Sequence, residues 1–271
     1  MDVKPKAQAD GSQQGSRTGL PASIEAAWGL REPPRKGPKP GLTLARIVAA
    51  AVDVAATEGL ACLSMKRVAT ELGASTMSLY RYVAAKDELL ALMVDAAIGT
   101  PPPRPGAEES WRAGLSRWSW AYLAVLRRHS WALRVPITGP QVTPNLTAWI
   151  EDGLRSMRDT GLTEPEKLSV ILLLSGYVRN AATLAADMGA GASASGTPAP
   201  IMPAWGRLLA QLTGPEDFPS LHAALASGVF DQDDDPEDEF SFGLERVLDG
   251  IDTLVRKRRG RDSNPRQSLN P

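Results

Sequence analysis

The sequence predicts an all-α protein with two helical domains. Apolar residues recur three and four positions apart along most of the chain, which is the spacing of one helix face, and no segment alternates as a strand would. Ser, Thr and Gly stand where such helices would begin and end. A proline-rich run at residues 101–106 interrupts the pattern and predicts a boundary between the two domains.

The first domain is predicted to begin with three helices. Thr43 can cap a helix that runs to about Glu58. Ser64 can cap a second, short helix that Gly73 closes, and Ser75 can cap a third. Two short helices joined at a glycine have the layout of a helix-turn-helix, a layout that also occurs in proteins that never bind DNA.

The third helix is predicted to present side chains that suit a DNA groove. If Leu79 and Val83 face inward, a turn of about 100° per residue directs Met77 and Arg81 outward. In the major groove Arg reads guanine, Ser or Thr reads either partner, and an apolar group contacts the thymine methyl. A solvated face on an ordinary two-helix corner is the alternative.

A further helix is predicted from Lys86 to Ile98, and with it a resemblance becomes specific. Residues 42–99 resemble the N-terminal domain of the tetracycline-repressor (TetR) family. The most diagnostic stretch is Leu79–Leu90, which reads Leu-Tyr-x-Tyr-Val-x-x-Lys-x-x-Leu-Leu, with Tyr82 where the family more often has His. The resemblance implies that residues 41–99 form a three-helix DNA-binding domain with a connecting helix.

The resemblance also implies which residues contact DNA. The predicted set is Ser64, Lys66, Ser75, Thr76, Met77, Ser78, Tyr80, Arg81, Tyr82 and Lys86. Within it, the residues implied at base edges are Thr76, Met77, Ser78 and Arg81, and those implied at phosphates are Ser64, Tyr80, Tyr82 and Lys86. Met77 stands where several relatives have Pro and offers no hydrogen bond, so the base read at that position stays open.

The rest of the chain is predicted to form a helical effector-binding and dimerisation domain over residues 108–259. The expected helices are residues 108–128, 144–160, 164–188, 203–213, 218–227 and 238–258. Residues 1–40 are rich in Gly, Pro, Ser and Gln and are predicted to form a flexible basic arm, and residues 260–271 a disordered tail. The arm either contacts DNA or only aids solubility.

Two helices of this domain are candidates for a subunit interface. Residues 168–188 are apolar nearly all round, and the last helix has one apolar stripe beside Gly243 and Gly250, which would permit close helix approach. The resemblance implies a four-helix dimer contact, and a twofold dimer suits a palindromic site. The predicted interface residues are Leu174, Val178, Ala181, Leu244, Val247, Leu248 and Ile251. A monomeric helical core is the alternative.

Tryptophan is concentrated in the second domain, which holds six of the seven in the chain. Pockets for small organic ligands are typically apolar and aromatic. The predicted effector pocket is lined by Trp118, Tyr122, Trp131, Trp149, Met157, Tyr177 and Met188. Ordinary core packing of these residues is the alternative, and nothing in the sequence names a ligand.

Composition argues against several other classes of protein. The net charge is −1, but the charges are unevenly distributed along the chain. Four cations precede the first predicted helix: Arg31, Arg35, Lys36 and Lys39. A single cysteine, Cys62, excludes an internal disulfide and is expected to pack as a small apolar group, with a redox switch as the alternative. With only two histidines and one cysteine, the chain has few nitrogen and sulfur ligands for a metal ion, and no cofactor is expected.

The sequence favours a soluble, cytoplasmic regulator over an enzyme or a membrane protein. The motifs of hydrolase elbows, phosphate loops and dinucleotide sites do not occur. The densest apolar run, residues 168–174, is too short to span a bilayer. We therefore expect a ligand-responsive regulator, a repressor by preference, that binds a palindromic operator in double-stranded DNA as a homodimer and is released by a small hydrophobic effector. An all-helical protein-interaction scaffold that does not bind DNA is the alternative.

Overall fold

The computed structural model describes residues 18–31, 41–106, 108–137, 141–195, 201–231 and 236–262, and every regular element within them is helical. The all-α prediction is therefore confirmed. The α-helices are α1 (Ala22–Ala27), α2 (Leu44–Glu58), α3 (Met65–Glu71), α4 (Thr76–Tyr80), α5 (Lys86–Ile98), α6 (Trp111–Arg128), α7 (Pro144–Ser156), α8 (Glu164–Ser195), α9 (Ile201–Leu212), α10 (Pro219–Ala226) and α11 (Pro236–Asp262). Two 3₁₀ turns lie at Leu60–Cys62 and Ser130–Arg134.

The chain divides into two compact units. The first unit comprises Met1–Gly99 together with Ile137–Thr147, and the second comprises Thr100–Pro136 together with Ala148–Pro271. The first division falls after Gly99, directly before the segment that contains the proline-rich run at residues 101–106. Ile137–Thr147, by contrast, belong to the first unit, although they lie far along the part of the sequence assigned to the second domain.

The helices of the first unit begin at the caps that the sequence predicts. Thr43, Ser64 and Ser75 each accept a hydrogen bond from the backbone N–H three residues later, over 3.1–3.2 Å. Gly73 has φ of +58°, a conformation that glycine adopts without strain, and it ends the turn after α3. These caps satisfy N–H groups that have no partner inside their own helix.

The core of the first unit lies between α2, α3, α4 and α5. Ile47 of α2, Val68 of α3 and Leu89 of α5 are fully buried. Leu79 and Val83 are fully buried as well, so the predicted inward face of the third helix is confirmed. This core holds the short helix α4 by one side only.

Helix α1 corrects the prediction that residues 1–40 are mobile throughout. Ile24 is buried, and the buried Ser23 hydroxyl donates to Glu88 Oε2 over 2.6 Å. The Trp28 indole N–H donates to the Val142 carbonyl over 3.0 Å. Residues 1–40 are rich in Gly, Pro, Ser and Gln, so the sequence did not indicate that α1 is held by a buried side chain and by hydrogen bonds. The cations beyond Arg31 lie outside the described residues.

Helix α7 approaches the other helices of the second unit through small residues and a tryptophan hydrogen bond. The Trp118 indole N–H of α6 donates to the Trp149 carbonyl of α7 over 2.9 Å. A Cβ on Gly153 would meet the terminal methyl group of Ile171 on α8, so that side chain would have to shift if Gly153 carried one of its own. These contacts bring α6, α7 and α8 into one core.

Helices α8 and α11 also approach closely, but through only one of the two glycines that the sequence indicated. A Cβ on Gly243 would meet the Tyr177 hydroxyl and lie 2.8 Å from the ring carbon Cζ. A Cβ on Gly250 would meet nothing within 4 Å among the described residues, so no helix approach within this chain requires a glycine there. The last helix also extends to Asp262, which shortens the predicted tail.

Helix α8 has an unusual surface. Its segment Glu164–Gly189 is long and apolar enough to cross a membrane by length and composition alone, a test that core helices of soluble proteins also pass. Only 28% of an 18-residue apolar stretch of this segment is buried within the chain. The large apolar side chains that the described part of α8 leaves exposed are Leu168, Leu172, Leu173, Leu184 and Met188.

Candidate DNA-binding interface

Helix α4 presents three of its predicted DNA-contacting side chains to solvent. Met77 is 74% exposed and Tyr80 is 44% exposed, and Arg81, directly after the helix, is exposed too. Leu79 on the opposite side is fully buried. The helix therefore stands on its apolar side and offers an aromatic, an apolar and a basic group outward.

The beginning of α4 is organised by two serines. Ser75 accepts from the Ser78 backbone N–H, and the two hydroxyls lie 2.7 Å apart in a second hydrogen bond. Thr76 is half-buried beside them. Two of the predicted contact residues, Ser75 and Ser78, are thus fixed in one turn, which favours a defined geometry for any base contact they make.

Helix α3 carries two cations in different environments: Arg67 is paired with carboxylates, and Lys66 is exposed. Arg67 is held by Glu58 of α2, with Nε 3.0 Å from Oε1, and by Glu71 one turn later at 2.9 Å. The hydrogen bond from Arg67 lowers the pKa of Glu58, so that carboxylate stays charged. Lys66 is exposed at the start of the same helix, and Ser64 caps it. Arg67 thus anchors α3 to α2, and Lys66 is the cation that α3 presents to solvent.

Tyr82 is engaged within the first unit. Its hydroxyl donates to the Leu42 carbonyl over 2.9 Å, and the side chain is half-buried. A tyrosine hydroxyl has one proton to donate, so in this arrangement it has none for a phosphate. The implied phosphate contact of Tyr82 therefore lacks its donor here. Lys86 is exposed at the first position of α5, as a phosphate contact requires.

Two carboxylates that the sequence analysis did not single out organise α5. Glu88 accepts from the Ala84 backbone N–H over 3.2 Å and from the Ser23 hydroxyl of α1. Its position three residues after Ala85, the residue that precedes α5, is a signal that could have revealed it. Asp95 is buried near the other end of the helix and accepts from the first turn of α7.

Three of the predicted effector-pocket residues meet in one aromatic cluster of the second unit. The ring centroids of Trp118 and Trp149 lie 5.7 Å apart, and Tyr122 lies 5.4 Å from Trp118 and 5.6 Å from Trp149. These separations are those of favourable aromatic contacts. Met157 is fully buried in the same unit.

Tyr177 belongs to a different aromatic group. Its ring stacks on Phe240 of α11 at 5.2 Å, and its hydroxyl donates to the Phe240 carbonyl over 2.8 Å. Trp120, which was not predicted, packs edge-on to Phe240 at 4.6 Å. Burial raises the pKa of Tyr177. Met188 is 38% exposed on α8, so the seven predicted residues are not all brought together.

His129 and Trp131 carry two buried ring nitrogens without a hydrogen-bond partner among the described residues: Nδ1 of His129 and Nε1 of Trp131. Their rings lie 6.3 Å apart. Burial, with a smaller contribution from the charge of Arg128, lowers the pKa of His129 and so favours the neutral ring. Buried polar atoms usually have partners, so this pair stands out.

A charged cleft of about 720 Å³ lies elsewhere in the second unit. It is lined by Arg104, Gly106, Glu151, Leu154, Arg155, Arg158, Glu164 and Lys167. None of these residues was predicted, and only one is apolar. Beside the cleft, Asp152 pairs with Arg117 at 2.9 Å and with Arg104 at 3.3 Å, so part of its wall is a buried ionic cluster.

The predicted dimer-interface residues need correction. Five of them are at most 4% exposed within a single chain: Leu174, Val178, Leu244, Leu248 and Ile251. They fill the chain's own core, so they cannot present a surface to a partner in this arrangement. Ala181 and Val247 are half-buried. Helical periodicity identified the apolar positions but did not distinguish the side of α8 and α11 that faces the core of the same chain.

Cys62 also differs from expectation. It is exposed in the 3₁₀ turn between α2 and α3, while the neighbouring Leu63 is buried. The prediction that Cys62 packs as a buried apolar group is therefore wrong.

Two family models and several known proteins are similar to this chain. Residues 47–93 match the family model described as bacterial regulatory proteins, tetR family, and residues 103–255 match the tetracyclin repressor-like C-terminal domain. The HTH-type transcriptional repressor DrrR1 of Streptomyces coeruleorubidus is 40% identical over 254 residues, which cover 92% of each chain.

Solved structures give the same assignment. ActR of Streptomyces coelicolor in complex with actinorhodin is 27% identical with a TM-score of 0.65, over 80% of this chain and 99% of ActR. Its complex with (S)-DNPA is 26% identical with a TM-score of 0.62, over 79% of this chain and 98% of ActR. With both domain models matched and a relative 40% identical along nearly the whole length, this chain belongs to the TetR family of transcriptional regulators.

Proposed function

We propose that this chain is a cytoplasmic transcriptional repressor that binds a palindromic operator as a homodimer and leaves it when a small hydrophobic effector binds the second unit. The observation that carries the proposal is the surface of α4, where Met77, Tyr80 and Arg81 are exposed while Leu79 is buried. Aromatic, apolar and basic groups on one short helix can reach base edges and phosphates in a major groove. The name of the DrrR1 relative favours repression over activation.

The homodimer is supported by the exposed apolar side of α8. Leu168, Leu172, Leu173 and Leu184 are each more than half exposed in the single chain. A patch of this kind on a soluble protein usually marks an interaction site. A second copy would cover it with the same residues, as in an isologous interface, and would supply a second α4 for the other half-site.

The effector is supported by the aromatic cluster and by the two unpartnered ring nitrogens. Leaving a buried N–H without a partner costs about 1–3 kcal/mol, so an oxygen atom of a ligand placed at Trp131 would be favourable. Burial lowers the pKa of His129 and so favours its neutral ring, which suits an uncharged ligand. The effector class that fits is an apolar, ring-containing molecule with an oxygen acceptor. ActR has been solved in complex with two small molecules, and this likeness supports the binding of a small molecule by this chain.

Release is proposed to occur by a shift between two conformations of the dimer. One conformation spaces the two copies of α4 for the operator, and the effector binds the other more tightly. To move the equilibrium almost completely, the effector must discriminate between the two states by about 5.5 kcal/mol. Helix α5, which follows α4 and carries Lys86, is the proposed lever.

The experiment that tests the function is selection of bound sequences from a random DNA pool, with the molar mass measured by light scattering. We expect enrichment of an inverted repeat and the mass of a dimer. Retention that is insensitive to salt, or no enrichment at all, would favour the scaffold alternative. A monomer at micromolar concentration would contradict the homodimer.

The effector site is tested with actinorhodin as the probe and tryptophan fluorescence as the readout. Trp131→Phe removes the N–H but keeps an aromatic ring, and Trp205→Phe, half exposed on α9, is the matched control. We expect weaker quenching by the probe in Trp131→Phe and unchanged affinity in the control. Equal affinity in wild type and both variants would remove Trp131 from the site.

A further inference from the structure

We propose that Asp95 is a positioning residue that clamps the first turn of α7 to α5, so that α7 passes the state of the effector site to the first unit. The inference rests on the proposed function, since it concerns how that function is regulated. It assigns a task to a buried acid that no DNA or effector contact uses.

The contacts of Asp95 are numerous for one side chain. Asp95 is 6% exposed. Its Oδ1 accepts from the backbone N–H groups of Asn145 at 2.9 Å and Leu146 at 3.0 Å. The Asn145 side-chain amide donates to Asp95 Oδ2 at 3.1 Å and to the Asp95 carbonyl at 3.0 Å. Four hydrogen bonds therefore join one residue of α5 to two adjacent residues of α7.

These hydrogen bonds do the work of a helix cap, but across 50 residues of sequence. The first N–H groups of a helix have no partner inside it and carry a partial positive charge. A cap normally comes from the residue before the helix, here Thr143, which is itself buried. The carboxylate of Asp95 instead caps α7 from α5, and because it is buried it depends on those donors in return.

Helix α7 is suited to carry a displacement over a short distance. It runs without interruption from Pro144 to Ser156, and the division between the two units falls after Thr147. Trp149, which lies in the aromatic cluster, is only four residues from Asn145. About one helical turn separates them, so a shift of Trp149 moves the turn that Asp95 holds.

The ionic cluster fixes the other end of α7. Asp152 pairs with Arg117 of α6 at 2.9 Å and with Arg104 at 3.3 Å. Helix α7 is thus held by one buried acid of its own in the second unit and by one buried acid of α5 in the first. An effector that changes the packing around Trp149 acts between these two points of attachment.

The first test needs neither DNA nor effector. Urea unfolding of the full chain is followed by tryptophan fluorescence, since six of the seven tryptophans lie in the second unit, and by a dye on Cys62 in the first. We expect coincident transitions in wild type and separated transitions in Asp95→Ala. Asp53→Ala, an exposed acid of α2, is the matched control and should behave as wild type.

The second test measures coupling. The ratio of operator affinities without and with actinorhodin is compared in wild type, Asp95→Ala and Asp95→Asn, with the operator obtained by selection from the random DNA pool. We expect the ratio to fall toward one in Asp95→Ala and to be largely restored in Asp95→Asn, whose amide oxygen still accepts from the backbone N–H groups. If Asp95→Ala does not fold, Asn145→Ala replaces it in this test, because that variant loses the side-chain amide donor and keeps the backbone N–H groups.

Two results would overturn the proposal. One is a pair of transitions that stay coincident in Asp95→Ala, with only lower stability. The other is an unchanged affinity ratio in a folded variant. A wild-type protein that selects no operator would instead contradict the proposed function, and the unfolding comparison would still decide whether Asp95 joins the two helices.

Discussion

The Tyr82 hydroxyl donates a hydrogen bond to the Leu42 carbonyl oxygen over 2.9 Å. This contact ties the turn after α4 to the residue before the Thr43 cap of α2. It engages the one proton that the hydroxyl can donate, whereas Tyr80, two residues earlier, is 44% exposed. The two tyrosines of the diagnostic motif thus have different environments, one internal and one at the surface.

Replacing each tyrosine by phenylalanine separates these roles. Tyr82→Phe leaves the Leu42 carbonyl without its partner, so we expect the free energy of unfolding to fall by about 1 kcal/mol. Tyr80→Phe should change stability by less than about 0.5 kcal/mol and weaken binding to all DNA sequences alike. Urea denaturation and binding titrations measure both effects. Loss of DNA affinity confined to Tyr82→Phe at unchanged stability would contradict this division.

Arg81 and Lys86 are expected to differ in kind. Arg81→Ala should reduce discrimination at one base pair by roughly 1–3 kcal/mol, because the TetR resemblance implies that its guanidinium reads a base edge. Lys86→Ala should weaken binding to every sequence, because the resemblance implies that Lys86 pairs with a phosphate. Titrations against the selected operator and a scrambled duplex measure both. An equal loss on the two duplexes for Arg81→Ala would remove it from the base-reading residues.

The basic segment before α2 is best tested by charge rather than by truncation. Deleting residues 1–40 would also remove α1, whose Ile24 is buried. We therefore predict the effect of replacing Arg35, Lys36 and Lys39 by Gln. If these cations pair with phosphates, the slope of log affinity against log salt decreases by about 0.9 for each phosphate that is no longer neutralised. An unchanged slope would leave the segment with a solubilising role.

The pairing of Glu166 with Arg258 predicts a dependence of stability on pH. Hydrogen bonds from Arg258, and from the backbone and hydroxyl of Thr163, lower the pKa of Glu166 from 4.5 to about 2. The unfolded carboxyl therefore binds a proton more readily than the folded one. The stabilising contribution is present above about pH 4.5 and is lost as the pH falls toward 2.

Glu166→Gln should accordingly show a smaller loss of stability on acidification than wild type. Urea unfolding between pH 6 and 2.5 measures this dependence, and Glu216→Gln, an exposed carboxyl, is the control. Parallel curves for wild type and Glu166→Gln would show that the pair has no effect on the pH dependence.

Two glycines of α11 make a matched pair for the α8–α11 contact. Gly243→Ala would place a methyl group against the Tyr177 ring, so we expect a loss of about 1–3 kcal/mol in the free energy of unfolding. Gly250→Ala has open space and should gain about 0.5–1 kcal/mol from helix propensity. Thermal or urea unfolding measures both. Equal effects of the two substitutions would mean that the helices do not approach at Gly243.

The parts that could be predicted from the sequence depend on neighbours close along the chain. Thr43, Ser64 and Ser75 bond to N–H groups three residues away, so their positions could be found from local spacing. The outward direction of Met77 follows from the inward direction of Leu79 because both lie on one short helix. The resemblance of Leu79–Leu90 to the TetR family then identified residues 41–99 as the predicted DNA-binding domain.

The parts that could not be predicted depend on residues distant in sequence. Leu174 and Leu244 lie on apolar stripes, but only the packing of α8 against α11 decides that they face the core of their own chain rather than a partner chain. Asp95 has no sequence pattern that links it to Asn145, 50 residues later. Helix α1 is short and surrounded by Gly and Pro, so only contacts with residues distant in sequence, such as Glu88 and Val142, reveal that it is anchored.

The inclusion of Ile137–Thr147 in the first unit has a practical consequence for protein engineering. A chimaera that exchanges DNA specificity between two relatives by cutting after Gly99 would transplant a domain that lacks one of its pieces. The recipient would then have to supply the turn that Asp95 holds. Hybrids that carry Asn145 and Leu146 along with residues 1–99 preserve this match, so modular exchange in this protein requires two crossover segments instead of one.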